Sequence, residues 1–294
     1  MHSVTNPTKC FTDIRAVIIG NTSYCNVKCI TCPGLVGREA QCMPNDLWNK
    51  LVSELAELHV RASHFAFGLF NEPTLDPQLL PRINQLIAAL PHQKIAINTS
   101  GKIMLTALAR ELNSQLHNIA FTFCGYDAAS YERNTIGGHF DRIRENILSL
   151  VNLPGRRFDV RVSVVTTRET VGKLEAVRQL FPRACVGYSL LMNRCAALSN
   201  FADIVPGEPR PSWCNVTPME DLIIDSDGTV LLCCQDWMRE VPLGNLRKES
   251  IAEIRYRHQN SKLRRLLETG QRDQIVSCTK CMHADESWRD GRGL

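Results

Sequence analysis

The stretch RAVIIGNTSYCNVKCITCPG, residues 15–34, joins a short apolar run to a loop that carries three cysteines. Residues 15–21 are rich in aliphatic and β-branched side chains, which predicts a buried strand. Cys25, Cys29 and Cys32 follow shortly after the end of this strand. Three thiols on one loop can converge on a single inorganic group, so we expect metal or redox chemistry where the strand ends.

Further apolar runs alternate with helical patterns, which is typical of strand–helix units around a parallel sheet. The predicted fold class is therefore α/β, with six units forming a partial (β/α)6 TIM barrel. One predicted helix begins at Asn45, with Asn45 as its N-cap. The predicted strands are residues 15–21, 64–70, 94–100, 118–123, 159–165 and 186–192, and the predicted helices are residues 45–59, 77–90, 105–116, 139–151 and 171–181.

Ligands in such folds bind at the carboxyl ends of the strands, where the following loops form one mouth. The three front cysteines leave the first strand at this end and therefore belong to the mouth. The mouth loops are expected to begin near Asn21, Asn71, Thr99, Cys124, Thr166 and Asn193.

The sequence pattern changes after residue 200. Residues 201–213 are rich in proline and predict a linker, and residues 220–234 predict a hairpin that turns at DSDG. Residues 249–270 predict one helix that ends at Gly270. We expect two domains, a barrel over residues 1–200 and a small C-terminal domain over residues 201–294.

The composition is that of an ordinary globular protein, with 44% hydrophobic and 22% charged residues. A net charge of +4 is too small to favour nucleic acid as a partner. The sequence shows neither a secretory leader nor a membrane-spanning run, so we expect a cytoplasmic protein without a membrane partner. Thirteen cysteines in a reducing compartment favour metal or redox chemistry over disulfides.

The front motif C-x3-C-x2-C resembles the radical S-adenosylmethionine (SAM) superfamily, and other barrel motifs follow in the expected order. FGLFNEPTLDP at 67–77 resembles the GGEP loop, with Asn71 and Glu72 where the family holds the amino group of SAM. NTSG at 98–101, with Thr99 and Ser100, resembles the TNG loop that also belongs to the SAM site. Two positions depart from the pattern: Thr31 replaces an aromatic residue, and Cys124 replaces the acid of the DG motif that opens residues 123–147.

The resemblance implies a four-iron, four-sulfur cluster held by Cys25, Cys29 and Cys32. Three ligands leave one iron open, and the amino and carboxylate groups of SAM would chelate it. One electron then cleaves SAM to methionine and a 5′-deoxyadenosyl radical, which takes a hydrogen atom from the substrate. A flavodoxin or ferredoxin-type protein would supply that electron, and the basic helical face at 255–265 is one place where it could dock.

Four back cysteines could close a zinc site or saturate an iron–sulfur cluster, and their spacing alone does not decide between the two. The C-terminal motifs resemble the twitch domain, a shortened SPASM domain that holds one auxiliary four-iron, four-sulfur cluster. The family spacing from Gly228 favours Cys233 over Cys234 as a ligand. The implied ligands are Cys214, Cys233, Cys278 and Cys281.

Within the superfamily, the chain is similar to the twitch dehydrogenases of 2-deoxy-scyllo-inosamine, which oxidise an aminocyclitol alcohol to a ketone. Arg194 in NRCAAL, residues 193–198, matches an arginine that contacts the substrate hydroxyl in those enzymes. The resemblance therefore favours hydrogen abstraction from a carbinol carbon of a sugar-like or aminocyclitol substrate, with the auxiliary cluster accepting the second electron.

Three alternatives remain open at this stage. A radical epimerase would use Cys195 or Cys124 to return a hydrogen atom, although either thiol could be a small buried core residue. A maturase of ribosomally made peptides would share the same domains, but only 24 residues precede Cys25, fewer than the peptide-binding segment of many such enzymes. A binding module without turnover would require the front triad to be structural, which its missing fourth ligand disfavours.

Overall fold

Six parallel strands form the centre of the fold, as the sequence predicts. They are β1 (Val17–Ile19), β3 (Phe65–Phe67), β4 (Ile95–Thr99), β5 (Leu116–Phe123), β7 (Asp159–Val165) and β8 (Cys185–Ser189), and they are paired in that order. The computed structural model describes residues 14–211 and 219–284. The mixed α/β class and the partial barrel are therefore confirmed.

Helices cover the sheet and bury its apolar face. They are α1 (Asn45–Glu57), α2 (Leu79–Ala89), α3 (Thr106–Glu111), α4 (Ala128–Asn134), α5 (Phe140–Val151) and α6 (Leu174–Leu180). Trp48 of α1 packs 6.1 Å from Phe67 of β3, and both side chains are buried. Burying a side chain of this kind stabilises the fold by about 1.5–3 kcal/mol.

The N-terminus of α1 and the helix α4 differ from the sequence prediction. Pro44 is the cap of α1, and Asn45 is its first helical residue rather than its cap. The sequence prediction did not include α4, which begins at a capping box in which Asp127 and Ser130 exchange hydrogen bonds. This short helix follows directly from the loop that contains Cys124.

The C-terminal hairpin extends the barrel sheet. Its strands, β10 (Leu222–Ile224) and β11 (Thr229–Leu231), are antiparallel as predicted, but β10 also pairs in parallel with β1. A third strand, β12 (Pro242–Asn245), completes a sheet of nine strands. The domain boundary near residue 200 stays a prediction, and the sheet itself runs across it.

Three C-terminal segments also differ from the sequence prediction. The expected single helix at 249–270 is two helices, α8 (Ile251–Gln259) and α9 (Lys262–Glu268), because Ser261 caps a new helix. The expected linker contains α7 (Phe201–Ile204) and β9 (Arg210–Pro211). The remaining short elements are β2 (Lys28–Cys29), β6 (Thr135–Ile136), α10 (Val276–Thr279), β13 (Met282–His283) and two 3-10 turns at Pro73–Leu75 and Arg272–Gln274.

Within the described part of the chain, no helix is long and apolar enough to cross a membrane.

Candidate active site

Glu72 ties together the loops that follow β3 and β4. Its Oε1 accepts hydrogen bonds from Thr74 and, at 2.8 Å, from the Thr99 hydroxyl, and its Oε2 accepts from the Ser100 amide at 2.6 Å. The side chain is 1% exposed. The predicted residues Glu72, Thr99 and Ser100 therefore lie together at one end of the sheet.

The front cysteine loop meets these same residues. The Glu72 amide donates to the carbonyl of Tyr24 at 2.8 Å, and the Ser100 hydroxyl donates to Asn26 at 3.3 Å. Asn71 joins the group because its amide Nδ2 lies 3.4 Å from Asn21 Oδ1 at the end of β1. The mouth predicted from the sequence is thus assembled from the ends of β1, β3 and β4.

Gly68 permits the close approach of two mouth loops. Its φ of +98° is a conformation that side-chain-bearing residues rarely adopt, and an added Cβ would lie 2.4 Å from the carbonyl oxygen of Asn98. Asn98 Nδ2 in turn donates to the Gly68 carbonyl at 3.2 Å. Only glycine therefore fits before the Asn71–Glu72 pair without moving the loop.

The three front thiols lie on a loop that is anchored at its centre. Cys29 lies in β2, opposite Thr135 of β6, whereas Cys25 and Cys32 are exposed on either side of it. The Gly34 amide donates to Cys32 Sγ at 3.4 Å, and a backbone amide at Val27 donates to the Cys25 thiol. Amides directed at sulfur favour thiolates, so the donor set fits an iron–sulfur cluster with a solvent-facing side.

The electrostatics of these thiols oppose their ionisation in the absence of metal. Burial raises the pKa of Cys25 and Cys32, and a hydrogen bond with Cys124, followed by burial, raises the pKa of Cys29. The negative charges of the neighbouring cysteines add to the shift of Cys29. Positively charged irons would reverse this balance, because metal binding favours the deprotonated ligand.

Cys124 lies behind Cys29 rather than in the open mouth. It is 1% exposed, its Sγ lies 3.3 Å from Thr31 Oγ1, and Cys29 packs against the apolar cluster to which it belongs. The interaction with Cys29 lowers the pKa of Cys124. The predicted catalytic thiol therefore contacts a predicted cluster ligand.

Arg194 lies between the front and the back thiols. Its Nη1 donates to Gln235 Oε1 at 2.9 Å, and its guanidinium carbon is 5.9 Å from the centre of the Trp237 ring. Burial raises the pKa of Cys32, and the positive charge of Arg194 acts in the opposite direction. A hydrogen bond with Cys233, together with the Arg194 charge, lowers the pKa of Cys234 to about 7.

The back thiols converge where three segments meet. Asn193 joins two of these segments, because its Nδ2 donates to the Lys280 carbonyl at 2.7 Å and its Oδ1 accepts from the Met282 amide at 2.9 Å. This arrangement brings Cys195 against Cys281, and the interaction between the two thiols, followed by burial, raises the pKa of Cys195. The structure thus brings together Cys195, Cys233, Cys234, Cys278 and Cys281, whereas Cys214 lies outside the described residues.

The back thiols also fit an iron–sulfur cluster. The Gln235 amide donates to Cys233 Sγ at 3.3 Å, and Cys278 and Cys281 lie at the end of α10, where the Cys281 amide bonds the Cys278 carbonyl. Within the described ranges, no three His, Cys, Asp or Glu side chains lie close enough to hold a single metal ion. A four-iron cluster is larger than one ion and spreads its ligands more widely.

Sequence reasoning did not identify Arg38, which connects the front loop to the C-terminal hairpin. Its Nε donates to Asp225 at 2.9 Å, and the two side chains are 2% and 4% exposed. The guanidinium carbon lies 4.0 Å from the Phe70 ring centre and 5.0 Å from that of Trp237. No local motif marks such a residue, because its partners come from distant segments.

A sequence model described as the iron–sulfur cluster-binding domain SPASM matches residues 214–282. This range begins at Cys214 and contains Cys233, Cys278 and Cys281. The predicted C-terminal domain of SPASM type is therefore confirmed. Comparison with curated protein sequences finds no match.

Solved structures share the fold of the whole chain. BtrN in complex with AdoMet and 2-DOIA has a TM-score of 0.63 at 19% identity, over 91% of this chain and 92% of that one. Native anSMEcpe with bound AdoMet has a TM-score of 0.60 at 16% identity, over 82% and 80%. Streptococcus suis SuiB bound to precursor peptide SuiA has a TM-score of 0.62 at 12% identity, over 83% and 64%.

These structures are radical SAM enzymes with SPASM or twitch domains. The resemblance inferred from the front and back cysteine motifs is therefore confirmed: the chain has the fold of radical SAM enzymes and carries a C-terminal iron–sulfur domain of their SPASM type.

Proposed function

We propose that this chain is a radical SAM oxidoreductase that dehydrogenates a carbinol of a sugar-like or aminocyclitol small molecule. The fold and the iron–sulfur domain support the class of chemistry. The likeness to BtrN, which binds 2-DOIA, supports a small-molecule substrate, because it extends over nearly the full length of both chains.

The cofactors are SAM and two four-iron, four-sulfur clusters. Cys25, Cys29 and Cys32 would hold the front cluster, and Cys214, Cys233, Cys278 and Cys281 the auxiliary one. Asn71, Glu72, Thr99 and Ser100 would bind SAM. When bound, the front cluster and SAM supply a radical that abstracts hydrogen, and the auxiliary cluster supplies an electron acceptor.

Glu72 prepares one polar contact for SAM. Each carboxylate oxygen has about two acceptor sites. Among the described residues, Glu72 Oε1 accepts three hydrogen bonds, two from Thr74 and one from Thr99, whereas Oε2 accepts one, from the Ser100 amide. The remaining acceptor capacity suits an ammonium group, whereas Thr74, Thr99 and Ser100 fix the orientation of the carboxylate. Glu72 would therefore orient the methionine end of SAM without needing to move.

Arg194 would bind the substrate oxygen. A guanidinium stabilises a developing oxyanion by charge and hydrogen bonding, but it is a poor base because it stays protonated. Gln235 occupies Nη1 of Arg194 and directs the remaining donors, while Trp237 shields one face. Loss of the hydroxyl proton beside this cation would make the substrate radical easier to oxidise.

The positions of Cys124 and Cys195 favour dehydrogenation over epimerisation, and this observation carries the proposal. An epimerase needs a thiol that can reach the substrate radical. Cys124 and Cys195 are 1% and 6% exposed, and their thiols interact with those of Cys29 and Cys281 respectively, which shifts their pKa values. Each candidate donor thus lies against a predicted cluster ligand, which leaves Arg194 as the candidate for the polar contact with the substrate.

A peptide maturase is the second candidate. It is supported by the likeness to SuiB, which is bound to a precursor peptide, but the alignment spans only 64% of that chain.

The electron donor would be an acidic flavodoxin or ferredoxin. Basic residues of α8 and α9 offer a surface for it, although Arg257 and Arg264 pair with Glu249 and Glu268. We place the protein in the cytoplasm with this partner.

Anaerobic reconstitution tests the cofactors. About eight irons per chain are expected for two clusters, and dithionite with SAM should release 5′-deoxyadenosine. Cys29→Ala should abolish this release, whereas Cys185→Ala, which removes an exposed thiol in β8, should not. SAM cleavage that persists in Cys29→Ala would refute the assignment.

Reaction of candidate aminocyclitols and sugars in deuterated water tests the reaction type. A ketone without deuterium at carbon supports dehydrogenation. Deuterium at an inverted carbon would instead establish epimerisation, and modification of a peptide but of no small molecule would establish the maturase.

A further inference from the structure

The two positions where this chain departs from the radical SAM pattern contact each other. Thr31 Oγ1 and Cys124 Sγ are 3.3 Å apart, although 93 positions separate the residues in the sequence. Both side chains are buried, at 6% and 1% exposure. The two departures therefore form one structural unit behind the front loop.

This unit lies directly against Cys29. Cys29 packs on the apolar cluster that contains Cys124, and the interaction between the two thiols raises the pKa of Cys29 and lowers that of Cys124. The backbone holds this arrangement, because Cys29 pairs with Thr135 across β2 and β6 and the Ile30 amide bonds the Asn134 carbonyl at 2.9 Å.

Two more hydroxyl groups are buried in the same region. They belong to Tyr131 and Thr135, and the Thr135 hydroxyl interacts with both Cys124 and Tyr131. The Tyr131 ring stacks on Phe123, the residue before Cys124, at 4.7 Å between ring centres. These hydroxyl groups make the buried surroundings of Cys124 polar.

We propose that Cys124 donates a hydrogen bond from its thiol to Cys29 when Cys29 ligates the front cluster, and that Thr31 donates to the sulfur of Cys124. The proposal rests on the proposed function, since it requires Cys29 as a ligand. The direction follows from the chemistry: a ligating cysteine is a thiolate without a proton, so Cys124 is the donor. Its sulfur is then free to accept the Thr31 hydroxyl.

Such a bond would raise the reduction potential of the front cluster. Hydrogen bonds to ligand sulfur stabilise the added negative charge of the reduced state. Cys124 is thus a positioning and tuning residue that acts through Cys29 rather than a hydrogen-atom donor to the substrate. Its burial keeps this donor out of water, where it would be weaker.

Redox titration of the reconstituted full-length protein, monitored by electron paramagnetic resonance, tests the proposal. The signal that changes on addition of SAM identifies the front cluster and separates it from the auxiliary one. Cys124→Ala should shift the midpoint potential of this signal to more negative values, and Thr31→Val should shift it less in the same direction. Cys124→Ser keeps a donor and should restore the potential, and Cys185→Ala should leave it unchanged.

Each outcome decides a different question. An unchanged potential in Cys124→Ala overturns the hydrogen bond while leaving the proposed function intact. If Cys124→Ala fails to hold the SAM-responsive cluster, Thr31→Val decides: a negative shift supports the proposal, and an unchanged potential refutes it. Absence of any SAM-responsive signal in the unmodified protein refutes the proposed function itself.

Discussion

At the scale of single residues, the carboxylate of Glu72 fixes the geometry of the mouth. It bridges the loops after β3 and β4 through Thr99 and Ser100, and its own amide reaches the front cysteine loop at Tyr24. A residue that joins three loops cannot change without moving its neighbours. Binding of SAM is therefore expected to be sensitive to this position.

Glu72→Gln should weaken SAM binding about 10- to 100-fold, because hydrogen bonds to a charged group contribute about 1.5–3 kcal/mol. Titration calorimetry with SAM and the reconstituted protein measures the effect. Glu111→Gln is the matched control, since Glu111 is exposed and contacts only Asn84 among the hydrogen bonds found for it. Equal affinity in the two variants would contradict the role of Glu72.

The neighbouring back thiols Cys195 and Cys281 should respond differently to substitution. Cys281→Ala should reduce the iron content from about eight to about four per chain, because it removes a ligand of the auxiliary cluster. Cys195→Ala should retain about eight irons, because it removes only a contact of that ligand. Iron and sulfide analysis after reconstitution measures this, and four irons in Cys195→Ala would make Cys195 a ligand instead.

The spacing of the cysteines predicted which thiols lie at each end of the molecule, but not which thiols contact them. The epimerase alternative gives Cys124 or Cys195 the role of hydrogen donor, whereas the other interpretation of each thiol is a small buried core residue. Their contacts with Cys29 and Cys281 depend on packing between distant segments. That either thiol donates hydrogen to the substrate stays a prediction, and the burial of both thiols disfavours it.

At the scale of secondary structure, apolar runs predicted all six barrel strands, because most residues of the central strands β1, β3 and β4 are buried and β5 and β7 alternate buried with exposed residues. The pairing of β10 with β1 could not be predicted, since a hairpin turn determines only its own two strands. The break between α8 and α9 had a local signal in Ser261, whose hydroxyl accepts the Arg264 amide at 3.1 Å. Because the helical periodicity continues on both sides of Ser261, the sequence prediction gave one helix over residues 249–270.

The end of the sheet opposite the mouth, where β3 and β5 begin, contains a pH-sensitive contact between His64 and His117. The two rings stack at 5.6 Å between centres. Burial, and then the charge of His117, lowers the pKa of His64 below its ordinary value. The unfolded chain therefore binds more protons here, so stability is present above the unfolded pKa of about 6.5 and falls as the pH decreases below it.

His64→Gln should therefore reduce the loss of melting temperature between neutral and mildly acidic pH. Thermal unfolding followed by circular dichroism at a series of pH values measures the slope. His92→Gln, at an exposed histidine, provides the control and should keep the slope of the unmodified protein. A slope that is the same in all three proteins would rule out a contribution from His64.

At the scale of the whole molecule, Arg38 and Asp225 join the front loop to the C-terminal hairpin through a buried ion pair. Asp225→Asn leaves the buried Arg38 charge without its carboxylate, which costs about 3–5 kcal/mol, and should lower the free energy of unfolding by this amount. Arg38→Met should lower it less, because Arg239 still lies 3.8 Å from Asp225. The double variant should lose less than the sum of the two, because it leaves no isolated charge.

Urea denaturation of the full chain measures these changes. Arg178→Met, which breaks the exposed pair with Glu175, should change stability by less than about 1 kcal/mol. Additive losses in the double variant would show that Arg38 and Asp225 do not act as a pair.

The placement of β1 between β3 and β10 has a consequence for synthesis of the chain. β1 is made early, but its partner β10 begins at Leu222, after the other five parallel strands have emerged. One edge of β1 therefore remains unpaired during most of translation, beside the nascent loop of front cysteines. An open strand edge invites association with other chains, so a ribosome-bound or truncated chain that lacks the hairpin should require a chaperone to stay monomeric.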